Sequence, residues 1–339
     1  MLRFFYTLCA LLILTTAAQA GGIGFRRIVI GADSTRPLNA SLWYPTRDTA
    51  PSGPVGENRV FVGIPAVTDA APDQERHQLV ILSHGYGGSW RNLNWLAREL
   101  VGAGYAVAAP DHPGTTTFDR DPRQAATLWK RPRDLSRTID AVLADPALAG
   151  RIDPDRIAAI GHSLGGWTVA ALAGARFDPA LFARDCEDHP SPRTCGLSGE
   201  LGLADPAIGR DMRDPRVKAF VTLDLGLARG FTPESLAAVR LPALVFGAGV
   251  DIGDLPATLE SGWLADHLPP ESTRLVMIPD AMHFSFMQVC KPGAEALIEA
   301  EDPGDGVVCR DGAGRGRAAI HGEIATTIIR FLAQSLPPL

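Results

Sequence analysis

Short apolar runs alternate along this chain with stretches whose apolar residues recur at helical spacing. Leu79 to Leu82, Tyr105 to Ala109, Ile157 to Ile160, Ala219 to Leu223, Ala243 to Phe246 and Arg274 to Ile278 read as strands. Between and after them, Leu93 to Ala103, Leu135 to Ala144, Trp167 to Gly174, Pro233 to Ala238, Thr258 to Leu268 and Ala318 to Ala333 read as helices, the last one amphipathic. Regular alternation of strand and helix needs right-handed crossovers, so it predicts an α/β fold: a mainly parallel twisted sheet with helices on both faces. Ahead of it, Arg26 to Ile30 and Asn39 to Tyr44 flank a turn at Gly31 to Pro37 and predict an antiparallel pair on the sheet's edge. Thr46 to Arg76 has scattered Pro and Gly with little periodicity and reads as a long surface loop. The alternation breaks between Arg176 and Pro215, a stretch rich in Asp, Pro and Gly that reads as a cap-like insertion over the carboxyl edge of the sheet. With no internal repeat and no composition break, residues 21–339 read as a single domain.

Residues 1–20 change that picture at one end. Arg3 supplies a positive charge, Phe4 to Leu14 is almost wholly apolar, and Ala18-Gln19-Ala20 offers a small-x-small cleavage site, so the segment reads as a secretory signal peptide. Its apolar run is too short to span about 30 Å of hydrocarbon, and no other stretch is long enough. Removing it takes away Cys9 and leaves Cys186, Cys195, Cys290 and Cys309, an even number that in an exported protein, periplasmic or secreted, favours disulfides. Of three possible pairings, sequence proximity suggests Cys186 with Cys195 and Cys290 with Cys309. The net charge of −6 leaves no basic footprint for nucleic acid, and Lys130, Arg131 and Arg133 read as a solvated helix start.

The chemistry concentrates where the Ile157 to Ile160 run ends in Gly161-His162-Ser163-Leu164-Gly165-Gly166. A G-x-S-x-G turn between a buried strand and a helix strains the backbone and pushes its serine above the sheet at a helix N-terminus. Ser163 is therefore the candidate nucleophile. The base belongs after the last strand, where Asp280-Ala281-Met282-His283-Phe284 offers His283. For the acid that orients the base, Asp251 beyond the Ala243 to Phe246 strand is preferred; Asp224, ending the preceding strand, and Asp254 are the alternatives. Oxyanion donors are expected from the backbone amides of Leu164 and Tyr86, the latter in the glycine-rich loop His84-Gly85-Tyr86-Gly87-Gly88. No metal or organic cofactor is implied.

Leu42-Trp43-Tyr44-Pro45-Thr46, Ser83-His84-Gly85, Ala109-Pro110-Asp111-His112-Pro113-Gly114, Arg131-Pro132 with Asp134, the elbow at Gly161 to Gly166, and His283-Phe284-Ser285-Phe286 together resemble the α/β-hydrolase fold. Within it, the chain resembles the predicted dienelactone hydrolases and bacterial relatives of platelet-activating-factor acetylhydrolase. The resemblance implies Ser163 as nucleophile, His283 as base, and Tyr86 and Leu164 as oxyanion amides. Asp251 matches the acid of the dienelactone-hydrolase-like group and Asp224 that of the acetylhydrolases. Dienelactone hydrolases use a cysteine nucleophile, and here a serine stands in that place.

The expectation is an exported serine esterase acting on small-molecule or lipid-like esters through an acyl-enzyme. The alternatives are a lipase- or phospholipid-acetylhydrolase-like enzyme, which predicts an exposed apolar rim on the cap, and a non-catalytic binding protein on a hydrolase scaffold.

Overall fold

The computed structural model describes residues 21–253 and 255–336. The segment read as a signal peptide, and Asp254, lie outside the described residues.

Ten strands form one sheet among the described residues: β1 (Gly22–Ile30), β2 (Leu38–Thr46), β3 (Gly53–Val55), β4 (Ile64–Thr68), β5 (Arg76–Ser83), β6 (Ala106–Pro110), β7 (Arg151–His162), β8 (Val217–Leu223), β9 (Ala243–Ala248) and β10 (Thr273–Ile278). Their order is β10-β9-β8-β7-β5-β6-β2-β1-β4-β3. From β10 to β6 every pairing is parallel, whereas β2 runs antiparallel to β6 and to β1. Two-sided burial explains why the central strands read as continuous apolar runs rather than as alternation. In β5, Leu79 and Ile81 face one layer while Val80 and Leu82 face the other; Ala159 and Ala158, Val245 and Leu244 divide in the same way. The first layer is covered by the helices Lys130–Ala144, Leu164–Ala173 and Pro179–Asp188, the second by Asn94–Gly102 and Arg317–Ser335. Every residue of the Leu164–Ala173 helix is buried, which matches its all-round apolar sequence.

The sheet order sets the place of any site. Strand β5 sends the chain to β6 on one side, and β7 pairs with β5 on the other, so the loops leaving their carboxyl ends part at a topological switch point, where a crevice opens. The glycine-rich loop after β5 and the G-x-S-x-G turn after β7 are those two loops.

Two sequence expectations change here. Thr46 to Arg76 is not merely a surface loop: β3 and β4 lie in it, β4 joins β1, and Ile64, Ala66, Val67 and Ala70 are buried. Proline at positions 54 and 65 and the shortness of both strands hid them. The helix expected from Leu135 begins at Lys130, because Arg131 and Asp134 turn inward instead of facing solvent.

The chain after β4 is tied to the core by the fully buried Tyr44, whose hydroxyl donates to the Ala70 carbonyl at 2.8 Å. Tyr44→Phe leaves that carbonyl with the Arg26 guanidinium, 3.2 Å away, as its remaining side-chain donor, so urea unfolding should show a loss of about 1 kcal/mol with an unchanged m-value. No loss would mean that the segment is held elsewhere.

Candidate active site

Strand β7 ends at His162, and the helix beginning at Leu164 leaves one residue to make the turn. Ser163 makes it with φ 55° and ψ −122°, in the left-handed half of backbone space that a serine rarely enters. The turn closes only because its neighbours lack side chains: a Cβ on Gly161 would sit 2.0 Å from the Gly165 carbonyl oxygen, and one on Gly165 2.0 Å from that of Ser83. The strain is then overdetermined by hydrogen bonds. The Ser163 N–H donates to the Leu223 carbonyl at 3.0 Å, and the N–H groups of Gly166 and Trp167 donate to the Ser163 carbonyl at 2.8 and 3.3 Å.

Register delivers the next group. His162 pairs with Leu223, so Ser163 and Asp224 leave neighbouring strands together. Asp224 also has a positive φ, 45°, fixed by its N–H donating to the Phe246 carbonyl at 2.9 Å. One carboxylate oxygen accepts the Ala248 N–H at 2.8 Å; the other lies 2.7 Å from His283 Nδ1. That contact holds the imidazole proton on Nδ1 and leaves the Nε2 lone pair to act as a base. His162 steadies the same loop, with Nε2 2.9 Å from the His283 carbonyl and the two rings 4.8 Å apart. Burial pushes His162 down to about 3, so it stays neutral and spends its one N–H on that carbonyl.

Asp251, the preferred acid on sequence grounds, does not meet the imidazole. It is exposed, and its carboxylate accepts from the N–H groups of Gly253 and Leu255, both at 3.0 Å, within its own turn. Strand β9, which Asp251 follows, is the neighbour of β10 and so lies nearer the His283 loop than β8 does; what turns Asp251 away is its own turn, which takes up its carboxylate, while the positive-φ turn after β8 delivers Asp224 to the imidazole.

Ser163 and His283 open into one cavity of about 300 Å³, which Tyr86, Leu164, Leu227 and Phe284 also line. The backbone of the glycine-rich loop after β5 presses on Ser163, since a Cβ on Gly85 would come within 3.1 Å of Ser163 Cβ. Across the cavity, the Tyr86 hydroxyl donates to the Glu200 carboxylate. Burial, and then that bond, pushes the phenol up to about 12. The 176–215 segment supplies Pro192, Arg193, Thr194, Leu197 and Leu201 to the wall. The first three sit inside the loop closed by the Cys186–Cys195 disulfide; the second disulfide is Cys290–Cys309. Among the described residues, no group of three or more His, Cys, Asp or Glu side chains is arranged to hold a metal ion.

Beneath the glycine-rich loop after β5 lies a second Ser-His-Asp set that sequence reasoning missed. Ser83 Oγ is 3.0 Å from His112 Nε2, and His112 Nδ1 is 3.1 Å from Asp134. All three are wholly buried, so no substrate reaches them. Burial pushes His112 down to about 3, leaving it neutral. Burial alone would raise Asp134, but hydrogen bonds from His112 and Arg36 hold its carboxyl below the usual range. Arg131, 1% exposed, donates to Thr115 Oγ1 at 3.1 Å and to the His84 carbonyl, so the network grips the loop that carries Tyr86. The sequence signal was Arg131-Pro132 with Asp134: charges three apart at the foot of a helix that follows a buried strand's loop.

Comparison with known proteins bears on the family and the fold. A model described as "Alpha/beta hydrolase family" matches residues 80–314. Cutinase est2 from Thermobifida alba is 34% identical over 101 residues, which covers 29% of this chain and 31% of that protein. The chain thus spans about a third of the length of the cutinases it matches. A monoacylglycerol lipase from Mycolicibacterium smegmatis is 28% identical over 256 residues, or 66% of this chain and 88% of the lipase. Among solved structures, a ferulic acid esterase from Streptomyces cinnamoneus superposes with a TM-score of 0.66 at 21% identity, covering 94% of this chain and 91% of that one. A dienelactone hydrolase-like promiscuous phosphotriesterase from metagenomic libraries gives 0.54 at 14% identity, covering 94% and 100%. At such identities the structural likeness shows the fold.

Arg131→Met removes the buried cation and leaves the carbonyl of His84 and the hydroxyl of Thr115 without their donor. Urea unfolding should register about 3 kcal/mol of lost stability. A loss below about 0.5 kcal/mol would show that the network does not support the loop.

Proposed function

The chain belongs to the alpha/beta hydrolase family, and from that premise we propose that it is an exported serine hydrolase that cleaves carboxylic esters. One observation carries the reading: a serine held at positive φ on a strand-to-helix turn opens into the same cavity as an imidazole whose Nδ1 is bonded to a buried carboxylate. Ser163 Oγ attacks the ester carbonyl while His283 Nε2 takes its proton. Asp224 holds the imidazole tautomer and stabilises the imidazolium that forms. The oxyanion is met by the amides of Leu164 and Tyr86, each donor of this kind contributing about 3 kcal/mol to the transition state. His283 then returns its proton to the alcohol, which departs; water hydrolyses the acyl-enzyme by the same steps with the roles reversed. The hydrolase relatives and the two disulfides support this reading and its export.

The cavity favours a short or medium acyl chain, since it holds about 300 Å³ and Leu197, Leu201, Leu227, Leu255 and Phe284 give it apolar walls. A lipase acting at a membrane surface needs an exposed apolar rim. Among the described residues the large exposed apolar side chains are Val29, Val62, Phe118, Leu275 and Met277, none of them in the 176–215 segment. No helix of the described residues is long and apolar enough to cross a membrane.

The reading is tested on p-nitrophenyl esters from acetate to palmitate. Acetate and butyrate should be hydrolysed well above palmitate, and Ser163→Ala should abolish turnover. Asp224→Asn should cost about 10³ to 10⁴ in kcat, and Asp251→Asn less than twofold. Wild-type protein inert on the whole series would leave a non-catalytic binding role in front; a dead Asp251→Asn beside an active Asp224→Asn would reverse the assignment of the acid.

A further inference from the structure

Behind Asp224 stands a buried carboxylate that the mechanism above does not use. Glu260 is 3% exposed and lies in the π-helical turn Thr258–Gly262. Such turns are rare and occur often at functional sites. Its carboxylate accepts the Ala228 N–H at 2.7 Å. Ala228 closes a stretch with unusual backbone: Asp224 has φ 45° and Leu227 φ 66°, two of four non-glycine residues with positive φ among those described. Ser163 is a third, so three of the four belong to the site. Asp224 is held by its bonds to Phe246 and Ala248, whereas the Leu227 side chain caps nothing, so contacts around the loop are needed to keep its course. Between them, Gly226 and Leu227 form part of the cavity wall.

Charged groups face Glu260 from three sides: Arg229 of the Ala228–Gly230 turn, Asp185 of the Pro179–Asp188 helix, and Asp224 itself. Arg229 Nε donates to Asp185 at 2.7 Å, which joins this corner to the helix carrying Cys186. Strand β9, packed behind, brings no titratable residue, and in the next helix, Trp263–His267, which also carries Asp266, the His267 ring nitrogen Nδ1 is turned onto the Trp263 carbonyl at 2.8 Å.

We propose that Glu260 is a positioning residue for the ester hydrolysis assigned above: its carboxylate holds the Asp224–Gly230 loop in its strained course, and so fixes both the carboxylate that orients His283 and the Gly226–Leu227 wall of the acyl pocket. The inference rests on the Ser163-His283-Asp224 reading. Burial pushes Glu260 up to about 7, with Asp185 and Asp224 adding to the rise and Arg229 and the Ala228 N–H opposing it. The carboxylate, which grips a backbone N–H more strongly than the neutral acid does, therefore forms as pH rises through neutrality. Activity should rise with it.

The test uses p-nitrophenyl butyrate with the wild-type protein, Ser163→Ala, Glu260→Gln and Glu260→Ala. Turnover by wild type and none by Ser163→Ala establishes the underlying reading; the Glu260 variants then decide the inference. Glu260→Gln keeps an acceptor but no charge. It should fold with a near-wild-type melting temperature, keep KM within twofold, lose about tenfold in kcat, and show one ionisation on the acid limb of kcat/KM where wild type shows two. Glu260→Ala, which leaves the Ala228 N–H unpaired, should lose about a hundredfold. A Glu260→Gln protein with wild-type kcat and an unchanged acid limb overturns the inference, as does one that loses stability alone. Should Glu260→Gln not fold, Arg229→Gln removes the cation that favours the carboxylate, so the second ionisation must move to higher pH; an unmoved one overturns the inference. If wild type hydrolyses no ester, the esterase reading falls, and the rate at which a fluorophosphonate labels Ser163 replaces turnover with the same expected pH difference; absence of labelling overturns both.

Discussion

Everything at the carboxyl edge of this sheet depends on one strained residue. Ser163 occupies a backbone conformation that serine avoids, and the fold tolerates it because glycines at 161 and 165 let a strand, a helix and the loop after β5 approach within distances that a methyl group would forbid. That close approach brings the glycine-rich loop against the serine, and the same parallel register carries Asp224 out beside it. The strain is local, but its support is spread over three strands: Leu223 accepts from the Ser163 N–H, Phe246 from the Asp224 N–H, and His162 clasps the loop of His283.

Much of this was legible in the chain. Ser163 and His283 stand out because the elbow motif and the loop after the last strand are local features, readable from glycine spacing and strand ends. The alternation of apolar runs gave the layered sheet for the same reason. The acid was different. Asp224 and Asp251 both follow apolar strands and both precede glycine-containing turns, so nothing nearby in sequence separates them; what separates them is the contact with His283, 59 residues on from Asp224, which is a long-range property. Asp251, two residues before Gly253, does what an aspartate in a turn commonly does and caps its own loop. The buried polar network under the glycine-rich loop was hidden similarly. Arg131 and Asp134 look like solvent-facing charges until the fold supplies His112, Ser83 and Arg36 as partners.

That network also shows how the candidate site differs from a buried set of the same residue types. Two Ser-His-Asp sets lie within one molecule, and both use a hydrogen-bonded imidazole whose Nδ1 meets a carboxylate. Ser83, His112 and Asp134 are each sealed at 0% exposure, and Ser83 sits in ordinary strand geometry. Ser163 is partly exposed at a cavity and a helix N-terminus. Residue types and the imidazole–carboxylate contact are shared; access and backbone conformation differ. The sealed set braces the loop, and the open one is placed to meet a carbonyl.

Mass spectrometry of the protein quenched during turnover tests the account most directly. After brief mixing with p-nitrophenyl butyrate at low pH, where deacylation is slow, proteolysis should yield a butyryl adduct confined to the peptide that contains Ser163. An adduct on the peptide that contains Ser83, or steady hydrolysis with no acyl-enzyme on Ser163, would contradict it.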